Sequence, residues 1–168
     1  MIRDQEISRL ISFAEGMGLE IKFLPRTKNG NAAEWTIDGT EIRIYQTKNE
    51  SKIGTILSLI HEISHHVWFI HDKNRQLDSE SVEALTSDTS IPASKKMRKK
   101  LLDMEVAATT YWMTIYKDTN CKFPIWRLNI QMKLDIWMYE RYYEDSAFPS
   151  IKAARKKYKE LVANYEKE

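Results

Sequence analysis

The feature that most constrains the fold of this chain is one apolar helical pattern, which runs into the segment that carries all four histidines. Apolar side chains recur three and four residues apart from Ile53 to Ile63, the spacing of one face of an α-helix. The stretch LIHEISHHVWFIHD, residues 59–72, continues this pattern, and the helix is predicted to be capped by Ser51 and to end near Ile70. The histidines must therefore lie beside a helix face that is buried.

Three residues of this helix, His61, Glu62 and His65, form an H-E-x-x-H motif. Side chains four residues apart lie about 40° apart on a helix, one turn along, so both imidazoles can bind one ion. Glu62 lies at the flank of that face, where it can act as a general base. A chance occurrence, or a site that has lost its metal, is the competing interpretation. Unpartnered polar groups beside an apolar face would be costly, however, so we predict a zinc site.

The residues leave the third zinc ligand open, although a catalytic zinc usually has three protein ligands. His71 has the metzincin spacing from the first histidine, but that pattern needs a glycine where Trp68 stands. Glu105, in LLDMEVAATTYWMTIY, is the other candidate, because the alanines close after it would let two helices pack closely. The competing interpretation is that Glu105 is no ligand and stands in the first turn, where the pattern places it, because an acidic residue there suits the helix dipole.

The remaining patterns predict a helix-dominated α+β chain. A strand is predicted over residues 19–24, and Asp38-Gly39 between two alternating runs predicts a β-hairpin with Ile42 and Ile44 facing the core. Residues 72–100 are predicted to form a polar loop before the next helix. Besides the motif helix, helices are predicted over residues 4–17, 101–117, 126–143 and 149–166.

Composition restricts the class of protein. With 168 residues, 42% hydrophobic and 30% charged, the chain is typical of one globular domain, here residues 1–168. A formal net charge of +2 gives little reason to expect a nucleic-acid partner. Cys121 is the only cysteine, and no apolar run approaches the roughly 20 residues that span a bilayer. We therefore expect a soluble, cytoplasmic protein that is not bound to a membrane.

Two stretches, IRIYQTKNESKIGTILSLIHEISHHVW and EVAATTYW, resemble the ImmA/IrrE family of zinc metallopeptidases, which is similar to the gluzincins. The resemblance implies a zincin-like core over residues 1–118, with a small three-stranded sheet before the motif helix. Aromatic-rich helices over residues 119–168 would pack on this core. Family members often have glycine before the second ligand histidine, where this chain has Ser64.

The resemblance also implies a cofactor, an activity and a substrate class. Zinc would be bound by His61, His65 and Glu105, with Glu62 as the catalytic base. Well-known members cleave transcriptional repressors, so the resemblance implies an intracellular protein substrate, such as a regulator or repressor. It also implies a phage or another mobile element as the setting.

Four further residues are candidates for auxiliary roles. His66 and Tyr111 would be able to hydrogen-bond the transition-state oxyanion, although a solvent-facing histidine is the simpler interpretation of His66. If a peptide substrate adds to an exposed edge of the strand over residues 41–45, Arg43 or Tyr45 would contact it.

An alternative function is a catalytically silent zincin-fold protein that acts by binding another protein. Its contact surface would be the aromatic C-terminal helices or the basic cluster KKMRKK, residues 95–100. The simpler interpretation of the basic cluster is a solvated loop.

Overall fold

The secondary structure is that of an α+β protein dominated by helices, as the sequence predicts. A computed structural model describes residues 2–26, 32–36, 39–47, 51–71 and 93–166. The helices are α1 (Ile2–Gly16), α2 (Lys52–His71), α3 (Lys95–Thr109), α4 (Trp112–Asp118), α5 (Ile125–Asp145) and α6 (Ile151–Tyr165). The strands are β1 (Glu20–Pro25), β2 (Ala33–Trp35) and β3 (Glu41–Gln46). Within the described residues, no helix is both long enough and apolar enough to cross a lipid bilayer.

The chain divides into two compact units that are interleaved in sequence. Unit 1 comprises residues 1–73 and 108–123, and unit 2 comprises residues 74–107 and 124–168. The boundary crosses α3, whose last two residues belong to unit 1. Neither boundary coincides with the predicted division after residue 118, and the single domain over the whole chain stays a prediction.

The sheet of unit 1 has the strand order β1-β3-β2, with β1 parallel and β2 antiparallel to β3. The predicted hairpin between β2 and β3 is confirmed. Gly39 has a φ of +70°, which favours glycine, and its N–H donates to the Thr36 carbonyl at 2.8 Å. Ile42 and Ile44 are buried, as their alternation predicts.

The motif helix α2 packs against α1 and against β2 and β3. Ser51 Oγ accepts a hydrogen bond from the Gly54 N–H at 3.0 Å, so the predicted cap is confirmed. The helix ends at His71, one residue beyond the predicted end. Its buried apolar side chains are Ile53, Ile56, Leu59, Ile60, Ile63 and Val67. Each contributes on the order of 2 kcal/mol relative to an exposed side chain, so the core fixes which way the histidines point.

The predicted helix over residues 101–117 is wrong at its start. Helix α3 begins at Lys95, where Ser94 Oγ accepts a hydrogen bond from the Met97 N–H at 3.2 Å. The basic cluster is therefore helical and not a loop, because lysine and arginine are good helix formers behind a serine cap. Glu105 lies ten residues into α3 instead of in its first turn, so its interpretation as a dipole partner is also wrong.

The same predicted helix is interrupted between α3 and α4. Two β-branched residues, Thr109 and Thr110, precede the break and lower helix propensity there. The Tyr111 N–H donates to the Ala108 carbonyl in a tight turn, and α4 begins at the next residue, Trp112. Residues 72–92, the rest of the predicted polar loop, lie outside the described residues.

Unit 2 is built on α5 and α6, which pack against each other as the predicted C-terminal helices. The buried apolar residues of α5 are Leu128, Ile130 and Leu134. The chain between the helices is held by Phe148, which stacks on Tyr142 with ring centroids 4.4 Å apart. The buried guanidinium of Arg98 donates to the Tyr143 carbonyl at 3.1 Å and so joins the start of α3 to the end of α5.

Candidate metal centre

The two motif histidines converge on each other at the middle of α2. Their Nε2 atoms lie 3.0 Å apart, and their ring centroids lie 4.8 Å apart. A tetrahedral zinc with bonds of about 2.05 Å would separate two ligand atoms by about 3.3 Å. His61 is half-buried and His65 is 5% exposed. This donor pair fits a zinc ion with little side-chain movement, although a hydrogen bond between neutral imidazoles would give a similar distance.

Glu105 is the third member of this group. One ligand atom each from His61, His65 and Glu105 lie within 4.8 Å of one another. Glu105 is 4% exposed, and burying a carboxylate in a group with two imidazoles is costly unless a cation or hydrogen bonds compensate it. Two imidazole nitrogens and one carboxylate oxygen are a donor set that catalytic zinc uses. Among the described residues, this is the one group of three potential ligands that meets the distance limit for a metal.

Glu62 follows His61 on α2 and is 8% exposed. Its side chain leaves the helix about 100° from that of His61. Glu62 is not a member of the group of His61, His65 and Glu105. Helical geometry therefore places Glu62 next to that group without making it one of the three potential ligands.

A hydrogen-bonded pair beside His61, formed by Trp112 and Ser64, is not predicted from the sequence. The Trp112 indole N–H donates to Ser64 Oγ at 3.0 Å, and Ser64 Oγ–H donates to the His61 carbonyl at 2.5 Å. The edge of the Trp112 ring also meets the His61 ring, with centroids 5.4 Å apart and planes at 75°. The signal in the sequence was Ser64 itself, the polar residue at a position that the helical pattern buries.

The alternative third ligand, His71, lies apart from this group. It is exposed at the end of α2, and its ring stacks on Tyr111 with centroids 6.0 Å apart and planes at 13°. Because α2 continues through Trp68 to its last residue, no sharp turn brings His71 back to the motif histidines. The metal group therefore includes Glu105 and not His71.

His66 faces away from the ligand pair and into the core of unit 1. It is 6% exposed, so the interpretation of a solvent-facing histidine is wrong. Its ring meets the edge of Trp35, with centroids 6.3 Å apart. Burial lowers the pKa of His66, and a smaller contribution from the Met17 backbone opposes this shift. A neutral, buried imidazole against a tryptophan is a core residue, and its predicted oxyanion role stays a prediction without geometric support.

The predicted substrate-binding edge is wrong, because β3 is the central strand of the sheet. Residues 42–44 pair with β1 on one side and with β2 on the other. The Arg43 guanidinium donates to Glu34 at 2.9 Å, and the Tyr45 hydroxyl donates to the same carboxylate at 2.7 Å. These side chains close a polar network on the sheet, so contact with a substrate stays a prediction without an edge to support it.

Glu41 also belongs to this polar network. It accepts hydrogen bonds from Lys22 and Arg43. The bond from Lys22, helped by Arg43, lowers the pKa of the Glu41 carboxyl against the opposing effect of burial. The network is therefore a set of compensated charges that holds β1, β2 and β3 together, not a second cluster of metal ligands.

The chain matches no family model, no curated protein and no solved structure in comparisons with known proteins. The resemblance to the ImmA/IrrE family therefore stays a prediction based on the motif residues. The geometry of His61, His65 and Glu105 is therefore the main indication of what the chain does.

Proposed function

We propose that this chain is a zinc-dependent endopeptidase that cleaves an intracellular protein. The observation that carries the proposal is the convergence of His61, His65 and Glu105, with Glu62 beside the first ligand. The donor set favours zinc, and a carboxylate next to the ligands favours hydrolysis over a purely structural metal.

When bound, zinc lowers the pKa of a coordinated water to about 7 and polarises the substrate carbonyl. Glu62 accepts a proton from the attacking water and returns it to the leaving amine nitrogen as the amide bond breaks. His61 and His65 supply neutral nitrogen donors, and Glu105 supplies a negative charge that offsets part of the charge of the cation. The buried setting of Glu62 and Glu105 strengthens these electrostatic contributions relative to water.

The proposed substrate is a protein of the cytoplasm, such as a regulator or repressor, and the proposed setting of the chain itself is a phage or another mobile element. This part of the proposal comes from the resemblance to ImmA/IrrE peptidases.

The test of the proposed chemistry is the Glu62→Gln variant. We expect wild-type protein to bind one zinc per chain and to cleave members of an internally quenched peptide library. Glu62→Gln should keep the zinc and lose at least about a hundredfold in cleavage rate, because general acid–base catalysis contributes about 10²–10⁴-fold. Metal analysis and fluorescence on the same preparations give both quantities.

Two outcomes would contradict the proposal. A Glu62→Gln variant that cleaves at the wild-type rate would exclude Glu62 as the base. Zinc-loaded wild type that cleaves no peptide, and Glu62→Gln that keeps full biological function, would favour the alternative of a catalytically silent binding protein.

A further inference from the structure

The indole of Trp112 packs against the ring of His61, the first proposed metal ligand. Trp112 is 0% exposed, and its ring edge meets the His61 ring 5.4 Å away, centroid to centroid. His61 itself is only half-buried, so solvent borders part of its ring. The contact with Trp112 therefore removes orientations that this half-buried imidazole would otherwise adopt.

Ser64 connects Trp112 to the backbone of His61 by hydrogen bonds. Its hydroxyl accepts the Trp112 indole N–H at 3.0 Å and donates to the His61 carbonyl at 2.5 Å. Ser64 is 0% exposed, so both bonds are shielded from water. One side chain thus connects Trp112 to the ligand residue itself, and all three residues belong to unit 1.

The break between α3 and α4 gives Trp112 its place in this arrangement. The turn at Thr110 and Tyr111 ends one helix, and Trp112 begins the next with its ring at the middle of α2. Tyr111 stacks on His71 at the end of the same helix. Because of this break, the successive rings of Tyr111 and Trp112 both contact the motif helix, and the ring of Trp112 contacts His61.

We propose that Trp112 and Ser64 act together as positioning residues for His61. They hold its imidazole in the rotamer that points Nε2 at His65, and they thereby set the affinity of the site for zinc. This inference rests on the proposed zinc site. It adds that the metal affinity is controlled by a hydrogen-bonded pair that contributes no ligand atom. Groups that orient metal-binding histidines commonly change metal affinity by 10–100-fold.

The test measures metal binding in the full chain with Ser64→Ala, Trp112→Phe and the double variant. Zinc affinity is measured by competition with a chelator, and the cobalt-substituted protein reports ligand geometry in its visible spectrum. We expect each single variant to weaken zinc binding by roughly 10–100-fold. We expect the double variant to lie within about twofold of the weaker single variant, because both changes break one connection.

The matched control is Tyr116→Phe, one turn after Trp112 on α4. It removes the hydrogen bond from the Tyr116 hydroxyl to the Phe123 carbonyl, 2.7 Å long, which does not involve the motif helix. We expect wild-type zinc affinity and an unchanged cobalt spectrum. If Trp112→Phe does not fold, Ser64→Ala alone decides, since it removes only one hydroxyl.

Each other result overturns the inference. In the first such result, Ser64→Ala and Trp112→Phe both have the zinc affinity and cobalt spectrum of wild type. That result would show that the two residues only pack in the core, and it would not contradict the proposed function. Equal weakening by Tyr116→Phe would show that any loss of stability lowers the affinity. A folded wild type that binds no zinc would instead overturn the proposed function as well.

Discussion

Two imidazole nitrogens that converge from one helix need a third donor to bind zinc tightly, and the choice of that residue determines the class of site. As a ligand, Glu105 would supply a negative charge, which a site with His71 would lack. A carboxylate offsets part of the cation's charge, so the two candidates also predict different electrostatics around Glu62. The third ligand is therefore the most informative single residue to change.

At this position we predict opposite results for two variants. Glu105→Ala should lose nearly all zinc after dialysis, because it removes a ligand atom from the group of three. His71→Ala should keep about one zinc per chain, because its ring stacks on Tyr111 at the exposed end of α2. Metal analysis of both purified proteins beside wild type checks this, with circular dichroism to confirm that each is folded. Zinc lost only with His71→Ala would contradict the assignment.

Some residues of the candidate site are predictable from the sequence, and others are not. His61, Glu62 and His65 follow from helical spacing alone, since the motif and its geometry are local. Helical spacing does not decide between Glu105 and His71 as the third ligand, because the approach of Glu105 to the histidines is a tertiary contact. Only the resemblance to a known family favours Glu105. The role of Trp112 could not be predicted, since its direction depends on a helix break that the apolar pattern conceals.

Among the described residues, the helices are predictable in approximate place, but their ends and the break between α3 and α4 depend on caps and turns, so six helices stand where five are predicted. The end of α2 was predicted to within one residue because its apolar pattern stops there. The start of α3 was missed because the charged run from Lys95 suggested a solvated loop, although serine precedes it. Charge indicates exposure of a segment, but it does not exclude a helix.

The serine cap of α2 gives a prediction at this scale. Ser51→Ala removes the hydrogen bond from the Gly54 N–H, 3.0 Å long, and should destabilise the first turn by about 1 kcal/mol. Amide hydrogen exchange resolves single helices, so exchange in the first turn of α2 should rise about fivefold. Unchanged exchange there would show that packing of Ile53 alone holds the turn.

The matched control for this prediction is Ser150→Ala at the start of α6. Ser150 Oγ accepts the Ala153 N–H at 3.2 Å, the same kind of bond in unit 2. Exchange should rise in the first turn of α6 and stay at the wild-type rate in α2. A rise in α2 in this variant would mean that the exchange reports general loosening instead of the lost cap.

Across the whole molecule, the fold class and the sheet hairpin were predictable, but the division of the chain was not. The predicted boundary after residue 118 followed the extent of the resemblance. The structure instead groups residues 108–123 with the motif helix in unit 1, where Glu6 accepts hydrogen bonds from the Lys122 and Phe123 N–H groups. A buried carboxylate that binds backbone over a hundred residues away leaves no periodic signal in a sequence.

Zinc should also stabilise the whole chain, since a ligand that binds only the folded state raises the free energy of unfolding. At a free zinc concentration a hundredfold above the Kd, the gain is about 2.7 kcal/mol, or roughly 5–10 °C in Tm for a chain of this size. Calorimetry of zinc-loaded and chelated protein should show this shift in wild type and in Glu62→Gln, which keeps all three ligands. His65→Ala should show no shift. Equal Tm values for loaded and chelated wild type would contradict the assignment of these residues as a zinc site, whatever peptides the protein cleaves.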